Sequence, residues 1–488
     1  MDRYAPILLA FPPEDQFIDN DGYDKAVKTH LGRLTRILKE DSADLALNGP
    51  QLLELLNPAV NSLSYLAVLH TLVIPAFAAS ATRDFLLEKL VTFLVSFDGR
   101  QCRYAGTHLQ DLFSLVGNGQ CLPPSVGVDV LATAILKLDP TGSMLTSSHV
   151  LLARLAYSTN NIDTALPVID KNIVFYPGMA NYGDPQYLCD MDLSPPAYIT
   201  RENGLTATVK AASVMEYDLL CGMMYCARRD WAKAHAAFER VVTFPTREGG
   251  ASKIMVEAYK KWVLVSLLLN GKHTDPPSYT GATASKLYGT LAKPYTSVAS
   301  IFGTENAPEL KMEADKNAEI WRDDGNTGLL QEVLAAYQKW RVLGLQEIYT
   351  KISIPEIREQ TMSAETGENL DKDEDVEALI QNMIIAGMLK GIIEKNDDGT
   401  VFLTFLSAST ELSEHEFAKE LTSTALRLKQ LQPIFRATSE RLGTSKDYIK
   451  HVIKESKRND KAEGHDPTLG FDAHVDDEDL MGGVLPTG

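Results

Sequence analysis

Apolar residues recur in steps of three and four through most of this chain. Tyr23, Val27, His30, Leu31, Leu34, Ile37 and Leu38 fall on one stripe, as do Phe85, Leu86, Leu90, Phe93, Leu94 and Phe97. Thr82 is the expected N-cap of the second stripe and Gly99 its expected stop. Leu109, Leu112, Phe113 and Val116 continue the period. Residues 65–79 are the most apolar stretch. They include His70 and Pro75 and fall short of a membrane span, so they read as a buried core helix. Long alternating segments are missing before about residue 390. The pattern predicts an all-α-dominated fold and excludes an all-β or doubly wound α/β one.

The middle of the chain repeats. Gly222-Met223-Met224-Tyr225, then Ala234 and Phe238, then Pro245 follow the spacing of a tetratricopeptide (TPR) helix pair, with Asp218 where tryptophan is usual. Small residues let two helices approach and large ones fill the groove between them. Ala153, Ala165, Ile169 and Pro177 keep the same register, offset by 222 − 153 = 69 residues, or two repeats. Residues 178–204 are rich in Gly, Pro, Asp and Asn and read as a loop insertion. One repeat cannot bury its apolar face alone, so the expectation is a right-handed solenoid of stacked pairs. Residues 254–269 form a further apolar helix closed by Asn270-Gly271. Residues 271–294 are partly loop, and 317–347 are helical with a break near 323–328.

Beyond residue 340 the pattern changes. A short helix is expected at 342–349. Ser353 is placed to cap a second helix with Pro355 in its first turn. Residues 363–375 read as a solvated acidic connector. A third helix carries Val376, Leu379, Ile380, Met383 and Ile384 and stops at Gly387 or Gly391. Two short β-runs, 392–395 and 401–404, flank Asn396-Asp397-Asp398-Gly399, a hairpin turn. Three helices followed by a hairpin is the order of a winged helix. A helix over 411–432 should end or kink at Pro433, and Ser445 should cap a last helix bearing Tyr448, Ile449, Val452 and Ile453. From Lys457 the chain is polar and acidic and is expected to be disordered.

Composition narrows the function. Lys and Arg number 47 against 65 Asp and Glu, a net charge of −18, which disfavours a nucleic-acid partner. The third winged-helix helix has no Lys or Arg between Val376 and Leu389, where a DNA reader needs them. The five cysteines are odd in number and scattered, which points to reduced thiols in the cytoplasm or nucleus. No signal-peptide or membrane segment is expected. No catalytic or metal constellation emerges, and no cofactor is expected. Lys419 stands where His415-Glu416 would need a second zinc-binding histidine, and no two of the ten histidines are one residue apart. Gly271-Lys272-His273 lacks the frame of a P-loop, and Gly117-x-Gly119 lacks a third glycine and a preceding strand. Cys221 and Cys226 lie roughly 140° apart around a helix and should not share a metal. No Gly-x-Ser-x-Gly elbow occurs. What remains is protein assembly through the free edge of the hairpin and the apolar faces of the C-terminal helices.

A helical-repeat solenoid followed by a winged helix and C-terminal helices resembles the PCI module of the proteasome lid, the COP9 signalosome and translation initiation factor 3. Residues 251–272, which include Glu257-Ala258-Tyr259-Lys260-Lys261-Trp262, are similar to the COP9 signalosome subunit 3 family. So are Cys102-Arg103-Tyr104-Ala105, Lys293-Pro294-Tyr295 and Arg322-Asp323-Asp324-Gly325-Asn326. The resemblance covers about 85–405. It implies a non-catalytic scaffold in a complex that removes Nedd8 from the cullins of ubiquitin ligases, placed between subunits 1 and 8. A proteasome-lid scaffold is the alternative. It also implies that Ile392, Ile393, Val401, Phe402 and Leu403 belong to the winged-helix sheet, whose edge docks a neighbour. Phe417, Leu421, Leu428, Tyr448 and Ile449 would enter a shared helical bundle. The organisation expected is an N-terminal helical region (1–140), TPR-like repeats (141–330), a winged helix (331–406), bundle helices (407–456) and an acidic tail (457–488).

Overall fold

The periodic stretches fold as helices. The computed structural model describes residues 3–13, 19–79, 84–176, 185–246, 250–396, 399–406 and 414–463. Its helices of seven residues or more are α1 (Asn20–Glu40), α2 (Ser42–Leu55), α3 (Ser62–Ala79), α4 (Asp84–Ser96), α5 (Gly106–Gly117), α6 (Pro124–Leu138), α7 (Ser147–Thr159) and α8 (Ile162–Ile169). They continue as α9 (Ala211–Ala227), α10 (Trp231–Val242), α11 (Lys253–Asn270), α12 (Ala282–Leu291), α13 (Lys293–Phe302), α14 (Ala307–Lys316) and α15 (Thr327–Gly344). Then come β1 (Lys351–Ser353), α16 (Ile354–Gln360), α17 (Asp373–Ile385), β2 (Gly391–Lys395), β3 (Val401–Phe405), α18 (Glu414–Thr444) and α19 (Lys446–Glu463). Two compact units divide after Phe417.

In the first unit each helix packs on its near neighbours in sequence, as stacked repeats require. Gly222 on α9 faces Phe238 on α10 so closely that a Cβ would overlap the ring. That contact is the small–large pairing the repeat pattern encodes. Asp218, at the usual tryptophan position, is buried and instead binds Arg240 at 2.7 Å. Ala153 and Ala165 are likewise fully buried on α7 and α8. Pro177 and Thr82, two of the expected markers, lie outside the described residues. α4 ends at Ser96, so Gly99 lies just past its end as expected, and there it opens a short turn of helix capped by Asp98.

The insertion before α9 is packed rather than loose from residue 185 onward. Cys189, Tyr198, Ile199 and Leu205 are buried. Arg103 lies 3.6 Å from the centre of the Tyr198 ring and donates to the carbonyls of Leu188 and Asp190. Tyr104 donates to Asp24 on α1 at 2.8 Å. The stretch 102–105 thus ties the insertion to the first long helix.

A second polar knot joins α11, α13 and α15. The buried Lys261 ammonium donates to Asn326 Oδ1 at 2.6 Å and pairs with Glu257. Asn326 Nδ2 donates to the Tyr295 hydroxyl, which donates to Asp324, and Asp324 binds Lys260 at 2.6 Å. Gly325, with φ +64, makes the sharp turn that brings Asp324 and Asn326 together. Three sequence stretches far apart in number therefore meet in one hydrogen-bond network.

The winged helix has its own core of Val342, Leu345, Ile352, Ile354, Ile357, Val376, Ile380, Met383, Leu389, Leu403 and Phe405. Its sheet runs β1-β3-β2, antiparallel throughout. Ser353 caps α16, accepting from the Glu356 N–H. Three expectations change. The first helix is not a short one at 342–349 but the end of α15, followed by one 3-10 turn. A third strand, β1, joins the hairpin. The acidic connector is not fully solvated: Ser363 and Ala364 are buried, Lys311 donates to the Thr366 carbonyl, and Asp373–Asp375 already belong to α17.

The second unit is helical. α18 runs through Pro433 to Thr444, so the expected end at Pro433 is overturned. A proline loses the bond its own N–H would make and crowds the carbonyl four residues back, and the adjoining turns carry the helix across that cost. α19 reaches Glu463, which places 457–463 in helix rather than in a disordered tail. The rest of that expectation, 464–488, lies outside the described residues.

Two predictions follow from the buried polar groups. His30 Nε2 meets Ser64 Oγ, whose own proton goes to the Leu8 carbonyl, so Nε2 carries the hydrogen and donates, while the buried Nδ1 has no partner. Burial lowers both His30 and His149 to about 4. A histidine held neutral in the fold stabilises it fully above about 6.5, and that contribution falls as pH drops from there toward 4, by on the order of 3 kcal/mol per residue. Urea midpoints measured between pH 7 and 5 should decline, and the His30→Gln, His149→Gln double variant should flatten the slope. Separately, Asn326→Ala should cost about 2–4 kcal/mol, because it strips a buried ammonium of a partner; the unfolding midpoint measures it.

Candidate subunit-interaction surfaces

The hairpin residues divide by face. Leu403 pairs across from both Ile352 and Ile393 and is completely buried, with Ile393 and Val401 packed partly against the same core. Leu403 therefore belongs to the sheet, as the resemblance implied, but as an inward-facing support that offers no side chain to a neighbour. Ile392, 48% exposed, pairs with Thr404 on the opposite face, and Glu394 pairs with Phe402 there. Lys351 stands 5.1 Å from the Phe402 ring and binds Glu394 at 3.1 Å, which holds that carboxyl below its ordinary range.

The backbone supplies a second kind of surface. β2 is an edge strand. Asn396 donates to the Thr400 carbonyl and Leu406 to the Lys390 carbonyl, which makes 392 and 394 the hydrogen-bonded positions against β3. Gly391, Ile393 and Lys395 consequently aim their N–H and C=O groups away from the sheet. A strand from a neighbour can bond to that row.

The C-terminal helices expose apolar residues in order. Phe417, Leu421, Leu428, Leu431, Phe435 and Leu442 on α18, with Tyr448, Ile449, Val452 and Ile453 on α19, are all between 42% and 75% exposed. On α18 the spacing is a heptad seam: 417, 421, 424, 428, 431, 435, 438 and 442 alternate steps of four and three, with threonines at 424 and 438. Phe435 and Leu442 were missed by sequence reasoning because they lie beyond Pro433, where the helix was expected to end or kink. The step itself is the signal that finds them.

Among the described residues no group of three His, Cys, Asp or Glu side chains is arranged to hold a metal. The outer face of α17 exposes Ile385 and presents no Lys or Arg.

The family model for the N-terminal helical repeats of COP9 signalosome complex subunit 3 matches residues 25–284. COP9 signalosome complex subunit 3 of Neurospora crassa is 40% identical over 99% of this chain and 99% of its own length. That of Emericella nidulans is 29% identical over 94% of this chain and 95% of its own. With a model covering more than half of the sequence and a relative aligned from end to end, the chain belongs to the COP9 signalosome complex subunit 3 family.

Proposed function

We propose that this chain is a non-catalytic scaffold subunit of a COP9 signalosome, the assembly that removes Nedd8 from the cullins of ubiquitin ligases. The helical repeats carry a winged helix whose β2 edge bonds a neighbouring winged helix. Ile392 and Phe402 fit that contact from the outer face of the sheet. The C-terminal helices enter a bundle made by sister subunits, with subunits 1 and 8 as the adjacent ones by family analogy. Catalysis belongs to another subunit.

The observation that carries the reading is the heptad seam of α18. Six large apolar side chains spaced for knobs-into-holes packing stand in solvent. Each is worth about 1.5–3 kcal/mol when buried by a partner helix.

The test is the double variant Leu421→Asp, Leu428→Asp. Tagged chain carrying it should fold, with an unchanged unfolding midpoint for the repeat unit, and should lose its sister subunits at physiological salt. Recovery of the full complement of subunits with the double variant would sink the proposal.

A further inference from the structure

The loop between α11 and α12 carries Asp275-Pro276-Pro277-Ser278-Tyr279, which the scaffold reading leaves unused. Consecutive prolines fix φ, and each residue before a proline is driven out of the helical region, so 275–276 must run as polyproline II. The backbone then turns: the Thr280 N–H donates to the Pro277 carbonyl at 2.8 Å. Tyr279 sits within that turn and is 68% exposed. Its hydroxyl donates to Glu239 Oε1 on α10 at 2.8 Å, which aims the ring without covering it. Pro276 and Pro277 are half-buried and Ser278 is exposed.

Both ends of the loop are anchored. Gly271, with φ +67, ends α11 against Trp340. The His273 ring packs edge-on to Trp262 at 5.5 Å, and Tyr288 of α12 stacks on Tyr259 at 4.5 Å. The tyrosine adds little to this core. A loop that merely linked two helices would need the stiffness of the prolines and not an exposed aromatic ring beyond them.

We infer that Pro276–Tyr279 is a docking motif for a WW-type domain, a small sheet whose aromatic slot takes a polyproline face and whose neighbouring pocket takes a tyrosine. Polyproline recognition uses a segment already extended before binding, so little ordering entropy is lost. Here the turn and the Glu239 bond also fix where the tyrosine points, which lowers the cost further. The spacing of proline, proline, one free residue and tyrosine matches the two adjacent pockets of such a sheet. The motif lies in the α11–α12 loop of the repeats and is not part of the β2 edge, so a bound domain would attach an outside protein to the scaffold rather than join its subunits.

A purified WW domain selective for Pro-Pro-x-Tyr peptides, labelled for fluorescence anisotropy, is titrated with the full chain and with a peptide of residues 272–284. The full chain should bind within tenfold of the peptide. Tyr279→Ala and the double variant Pro276→Ala, Pro277→Ala should each weaken binding tenfold or more, with unfolding midpoints unchanged for Tyr279→Ala. The peptide should compete with the full chain, a check that does not depend on how any variant folds. Binding by the peptide but not the chain would overturn the inference, as would binding that survives both substitutions or no binding by either.

Discussion

A buried ammonium fixes the junction on which the rest of the first unit depends. Lys261 is in the interior of α11, and a charge there must be met by partners. Glu257 is supplied by the same helix, but Asn326 comes from the residue that immediately precedes α15. The start of α15 is thereby tied to the middle of α11. Farther along, Trp340 of α15 lies against Gly271, where only a residue without a Cβ fits. The same helix then contributes Leu330, Val333 and Tyr337 to the repeat core and Val342 to the winged-helix core. One helix serving two cores holds the winged helix against the repeats without a flexible linker.

Much of this was legible in the sequence because burial there is periodic. The small–large pairing of Gly222 with Phe238 is read directly from the repeat spacing, and so is the third winged-helix helix from its stripe. The misses have local causes. β1 is three residues long and only Ile352 of it is buried, so it carries no alternation to detect. The connector looked solvated because its charges outnumber the few side chains it buries, although Ala364 is fully inside. Pro433 was expected to end or kink the helix, and the helix continues through it because the turns on each side outweigh the lost bond and the ring clash. Which face of the hairpin Leu403 takes was not legible, because a hairpin reads the same from either side until the strand it pairs with is known.

The network around Lys261 was visible only as separate stretches. Their convergence depends on Gly325 and on the approach of α13, neither of which a local pattern encodes. Part of what the sequence marked as resemblance turns out to be structural chemistry: the buried Lys261 and Asn326, with the Tyr295 hydroxyl that Asn326 bonds, tie α15 to the repeats.

The two proposed contact surfaces divide the work of assembly. The β2 edge offers backbone groups, which bond any extended strand and carry little selectivity by themselves. The α18 seam offers apolar area, which supplies most of the energy, and it also carries register. Thr424 and Thr438 occupy seam positions fourteen residues apart, two heptads. A hydroxyl in an otherwise apolar seam costs least where the facing helix brings a polar or small residue to the same layer. Slipping the partner by one heptad leaves both threonines facing large apolar side chains, and slipping it by two leaves only one of them matched. The pair of threonines therefore penalises misaligned helices, and specificity in the seam comes from its two weakest positions rather than from its phenylalanines.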